Sequence, residues 1–109
     1  SFKNRSLSKL NINFTLEEND LALIEVIGIY ISIEKPNNEV LYDISKGSGS
    51  FTFEKREMFY SLKEEVLIDR NEKKVSVEYI KNEELKRGNY KVHLYTKNYK
   101  IGSGEFLVK

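Results

Sequence analysis

The chain has 109 residues, with 18 Lys+Arg against 17 Asp+Glu and a formal net charge of +1. These charges are mixed along the chain and not blocked, which argues against the concentrated positive field that nucleic acid or an anionic membrane surface requires. Zero cysteines remove disulfides, thiol catalysis, zinc fingers and iron–sulfur ligation together.

The length fits one domain spanning residues 1–109, which buries roughly two thirds of its unfolded surface without staples. The longest apolar run, residues 21–33, is broken by Glu25, Gly28, Tyr30 and Ser32. It falls short of the ~20 residues of a membrane-spanning helix, so no direct membrane insertion is expected of this segment. No charged stretch followed by an apolar one marks a targeting signal. The chain opens on Ser1, and a fragment or module of a longer protein is the expectation.

Along the chain, residues 6–16 alternate Leu10, Ile12, Phe14 and Leu16 against Asn11, Asn13 and Thr15, the period of a half-buried strand. A polar break follows at residues 17–20. Residues 21–26 carry apolar groups in both phases, and periodicity leaves them as a turn of helix or a fully buried crossing segment. Ile27, Ile29, Ile31 and Ile33 then alternate with Gly28, Tyr30, Ser32 and Glu34, a β-branched core strand. Pro36-Asn37-Asn38 stops it with turn chemistry, and Val40, Leu41, Tyr42 and Ile44 are expected to return as a strand.

Residues 46–50 read as a connector. Phe51 and Phe53 open another strand, interrupted at residues 54–57, and Tyr60, Leu62, Val66 and Ile68 read as strand pieces around a turn. Residues 69–74 form a polar turn before the strand of Val75, Val77 and Tyr79. In the closing hairpin, Tyr90, Val92 and Leu94 share one face while Lys91, His93 and Tyr95 take the other. Lys97-Asn98 turns the chain, and Gly102-Ser103-Gly104 in the last strand marks a bulge or a close backbone approach. The count is about seven strands and the expected class is an all-β antiparallel sandwich.

Leu85-Lys86-Arg87-Gly88-Asn89-Tyr90-Lys91-Val92 resembles the L-x-x-G-x-Y-x-V pattern that opens the penultimate strand of many immunoglobulin-like and fibronectin-III-like sandwiches. The resemblance implies a tyrosine corner, in which the Tyr90 hydroxyl bonds to backbone a few residues upstream. Ile33-Glu34-Lys35-Pro36-Asn37-Asn38-Glu39-Val40-Leu41 resembles a hairpin of immunoglobulin-like modules in bacterial envelope proteins and of macroglobulin-type domains, with Asn-Asn where those have Asp-Gly. Without a Cys pair or a Trp, an antibody-type domain is not expected. The two segments together imply a module of a cell-envelope or secreted protein.

Chemistry is sparse. The single histidine, His93, lies on the outward phase of its strand, with no spacing that supplies a nucleophile or an orienting partner. The adjacent pairs Glu17-Glu18, Glu64-Glu65 and Glu83-Glu84 diverge if they lie on strands. Asp20 beside Glu17 and Glu18 offers the best loop for calcium, yet no calcium-loop pattern is present, and no metal or cofactor is expected. The sequons at Asn4 and Asn13 are discounted, the second because it lies within a strand. Seven Tyr and six Phe remain. Phe14, Phe51, Phe53, Tyr90 and Phe106 fall in phase with apolar neighbours and are expected in the core. Tyr30 and Tyr95 take the outward phase of two strands that pair in one sheet if the fold is immunoglobulin-like, with Tyr99 at the turn beyond Tyr95. The face of Tyr30, His93, Tyr95 and Tyr99 is the candidate binding face, for a protein partner or for a stacked sugar ring. The expected function is a non-catalytic spacer or protein-interaction module, with a carbohydrate-binding module as the alternative.

Overall fold

The structure, a computed structural model, describes residues 9–16, 24–69, 71–80 and 85–108. Among these residues the chain is all-β and antiparallel, with eight strands in three sheets and no α-helix. The strands are β1 (Lys9–Leu16), β2 (Glu25–Glu34), β3 (Gly49–Phe53), β4 (Arg56–Tyr60), β5 (Leu62–Ile68), β6 (Lys73–Ile80), β7 (Gly88–Tyr95) and β8 (Lys100–Val108). A central four-stranded sheet has the order β5-β2-β7-β8, and two two-stranded sheets, β1-β6 and β3-β4, complete the fold.

The isoleucine alternation of β2 builds the core. Ile29, Ile31 and Ile33 are each 0 % exposed, and each full burial of such a side chain is worth roughly 2 kcal/mol relative to exposure. Tyr90 and Leu94 of β7 and Val108 of β8 join the same cluster. Opposite them, β1 and β6 bring Leu10 across from Tyr79, Ile12 across from Val77 and Phe14 across from Val75. The expected strand phases of these five elements therefore hold.

The last hairpin follows its sequence closely. The Tyr90 hydroxyl donates to the carbonyl of Lys86 at 2.7 Å. Thr96 organises the turn: its Oγ1 accepts from the backbone of Tyr99, and its own N–H donates to the carbonyl of Tyr99. A register shift between Leu94 and Tyr95 leaves Ile101 as the extra residue, next to Gly102. Gly88 has φ of +138°, and a Cβ there would lie 2.6 Å from the Pro36 ring. That close approach joins the two segments that resembled known hairpins.

Three expectations are corrected. The return after Pro36 is not a strand: a single bridge pairs Glu34 with Val40, and the Leu41 N–H reaches Ile33 at 2.8 Å. The reason is competition, because β5 already occupies that edge of β2 from Glu25 to Ile31. Ile44 instead enters a 3-10 helix, Ile44–Lys46, and is 74 % exposed. Residues 54–57 do not merely interrupt a strand. Glu54 and Lys55 form a two-residue hairpin turn, with Phe53 opposite Arg56. Finally, β4 and β5 are separated only by Ser61, which is 0 % exposed. Its N–H donates to Ile31 and its Oγ accepts from the Ile33 N–H, clamping the chain to β2 as it passes between sheets. Of residues 21–26, where helix and buried-strand readings compete, 21–23 lie outside the described residues, while Glu25 and Val26 belong to β2.

The β3–β4 turn places Glu54 at φ +50° and Lys55 at φ +66°, a conformation that favours Asn-Gly over side chains of this kind. Glu54→Asn combined with Lys55→Gly is expected to raise stability by about 1 kcal/mol. The midpoint of urea unfolding, at unchanged m-value, measures it.

Candidate binding surfaces

The candidate tyrosine face forms as a surface of the sheet and is then covered. Tyr30 and Tyr95 are register partners across β2 and β7, and Ser32 faces His93. The β3–β4 hairpin lies over them. Phe51 stacks on Tyr30 with ring centroids 4.2 Å apart, and Phe53 meets Tyr95 edge-on at 5.1 Å. Tyr60 adds a third ring against Tyr30, at 5.1 Å. The Ser32 hydroxyl donates to the Phe59 carbonyl at 2.6 Å, fastening the hairpin to the sheet. Tyr95 is consequently buried and Tyr30 half-buried, while Tyr99 is 59 % exposed at its turn. The outward-facing tyrosine platform is thus corrected to an aromatic layer inside the fold. Phe51 and Phe53 serve that layer and not the isoleucine core.

His93 lies at the margin of this layer. Its Nε2 is 3.3 Å from a Glu34 carboxylate oxygen, and the Lys100 ammonium is 3.0 Å from its Nδ1. Both ring nitrogens therefore face side chains of the same sheet surface. Lys100 also lies 5.7 Å above the Tyr95 ring, as Lys63 lies 5.3 Å from that of Tyr30. This is a surface network that caps the aromatic layer.

A different surface emerges at the flank. A cavity of about 350 Å³ is lined by residues Leu10 to Phe14 of β1, by Val92 and Leu94 of β7, and by Ser103 to Phe106 of β8. Consecutive strand residues point to opposite faces, so an unbroken run can line one cavity only along the strand's edge. Two strand edges thus flank this slot. β1 pairs with β6 alone, and β8 with β7 alone, among the described residues. The floor is apolar. Gly104, opposite Val92, contributes no side chain, and a Cβ there would touch nothing within 4 Å. The sequence signal is glycine within the last strand, which marks a bulge or a close backbone approach and does not by itself indicate a slot.

Other exposed apolar groups are smaller in extent. Tyr42 and Phe59 meet edge-on at 5.7 Å on the outside of the hairpin layer. Val26 and Leu67 face one another across β2 and β5, and both are exposed. Among the described residues no three His, Cys, Asp or Glu side chains gather as metal ligands, and no helix is long and apolar enough to cross a membrane. The Glu17, Glu18 and Asp20 loop lies outside the described residues.

These features define a layered all-β domain whose exposed backbone edges converge at one flank. Over residues 1–109 the chain matches the family model described as "Domain of unknown function (DUF8428)", and it belongs to that family. No curated protein and no solved structure matches the chain.

Burial, reinforced by the nearby Glu34 carboxylate, holds the Tyr95 phenol above the ordinary tyrosine value of 10.0, with Arg56 opposing. The folded state therefore keeps this proton after the unfolded chain has lost it. The contribution is fully present below pH 10.0 and declines as pH rises through the folded-state value. Tyr95→Phe is expected to lessen the loss of stability above that pH relative to the parent, measured by urea unfolding from pH 8 to pH 11.

Proposed function

We propose that this domain is a non-catalytic, immunoglobulin-like β-sandwich module that takes up an extended polypeptide segment at the slot between β1 and β8. The observation that carries the reading is the slot itself. Two strand edges that are unpaired among the described residues meet an apolar floor there, and Gly104 leaves the room a guest strand needs. Such a guest would gain main-chain hydrogen bonds from the edges, and its alternate side chains would bury against Val92, Leu94 and Phe106, the mode of β-strand addition. The Tyr90–Lys86 hydrogen bond and the central sheet flanked by β1 and β6 support the immunoglobulin-like part of the reading. The third sheet, β3-β4, is an addition to that plan. A setting in a cell-envelope or secreted protein follows from the resemblance of the two hairpins.

The absence of catalysis is argued from His93, whose ring lies between Glu34 and Lys100 with no hydroxyl nucleophile within hydrogen-bond distance among the described residues. A sugar-binding role would need an exposed aromatic platform, and Tyr30 and Tyr95 supply their rings to Phe51 and Phe53 instead.

Gly104→Val tests the slot without disturbing the fold, since the added Cβ meets open space and Val suits a strand. Labelled peptides of about nine residues, alternating Val or Ile with Thr, are expected to give saturable anisotropy with the parent chain and about tenfold weaker binding with the variant. The same peptides N-methylated along one edge should not bind. Equal binding by parent and Gly104→Val would remove the slot as the site, and concentration-dependent mass without peptide would make a second copy the guest.

A further inference from the structure

A second concave surface lies where the two hairpin segments at residues 33–41 and 85–92 meet, and it shares no lining residue with the slot. This pocket, of about 270 Å³, is lined by Lys35, Pro36 and Asn37 from the β2 turn and by Leu85, Lys86, Arg87 and Tyr90 from the approach to β7. Three cations from two separate segments thus border one small cavity, in a chain whose net charge is only +1. Among the described residues none of the three forms an ion pair. Like charges brought together repel, and a bound anion relieves that repulsion.

The frame that presents them is held at several points. Leu85 is 1 % exposed and anchors the segment in the core. The Tyr90 hydroxyl grips the Lys86 carbonyl at 2.7 Å. On the other side the Lys35 N–H donates to Glu39 at 2.7 Å, the Asn38 N–H donates to Lys35 at 2.9 Å, and the Asn37 side chain accepts from the Glu39 N–H at 3.0 Å. Gly88 packs directly against Pro36, so the two basic segments are fixed to each other. A frame ordered before binding spends less free energy on ordering when the ligand arrives.

We propose that this pocket binds an oxyanion, a carboxylate, phosphate or sulfate group, between Lys35, Lys86 and Arg87. The planar Arg87 guanidinium supplies paired donors that match such a group, and the two ammonium groups add point charges. Pro36, Leu85 and Tyr90 form the less polar wall against which the body carrying the anion rests. The site stands independently of strand capture at the slot.

The test is a titration of the isotope-labelled domain with inorganic phosphate, sulfate and acetate, each against sodium chloride at matched ionic strength, followed by amide NMR. Saturable shifts confined to Lys35, Asn37, Lys86 and Arg87 are expected, and the relative strength of the three anions identifies the preferred group. K86Q/R87Q should weaken binding about tenfold while keeping the dispersed spectrum, because the contact to Tyr90 uses the main-chain oxygen of Lys86. K35Q should weaken it as well, and K97Q, on another turn, should not. Shifts that grow linearly, match those of chloride or survive both substitutions would show solvated surface charge and overturn the site.

Discussion

The fold depends on the enclosure of β2 from Ile29 onward. Both of its edges are paired, with β5 along Glu25 to Ile31 and with β7 along Tyr30 to Glu34. Both of its faces are covered over the overlap of those ladders. Ile29, Ile31 and Ile33 carry one face into the core against β1 and β6. Tyr30 and Ser32 carry the other beneath the β3–β4 hairpin, by ring stacking and by the hydrogen bond to Phe59. From Ile29 onward the side chains of β2 are buried or half-buried, while Glu25 and Val26 at its start stay exposed.

Ser61 is where the two coverings are linked. Its main-chain and side-chain bonds to Ile31 and Ile33 fill the stretch of β2 that β5 has not reached, and Ser48 closes the junction by donating to the Ser61 carbonyl at 2.6 Å. A buried serine costs free energy unless its polar atoms are paired, and here they are. Because β4 runs into β5 through this residue, the hairpin layer and the edge of the central sheet are positioned by one short segment.

Enclosure at the centre moves function to edges and turns. The slot between β1 and β8 arises because neither strand has a second partner among the described residues, and because Gly104 brings no side chain into it. The basic pocket arises because the tyrosine contact and the Gly88–Pro36 approach bring the two turns together. Both are consequences of backbone placement.

Alternation along single strands determined the all-β class and the inward phases of Ile29, Ile31, Ile33, Tyr90 and Leu94. These are local properties: a period of two and a turn residue at the right place suffice to set them. The Lys86-to-Tyr90 contact was legible through the resemblance of residues 85–92 to a sandwich motif, and it spans only four residues. What the strand pattern left open was which polar-phase face would meet solvent. An outward phase on an isolated strand says nothing about a hairpin that later packs over it, so Tyr95 read as exposed and proved buried. Nor could a local pattern show that β5 would displace the return strand after Pro36, or that β1 and β8 would leave their edges facing one cavity. Those outcomes depend on competition among strands for the same backbone edges, which only the tertiary structure decides.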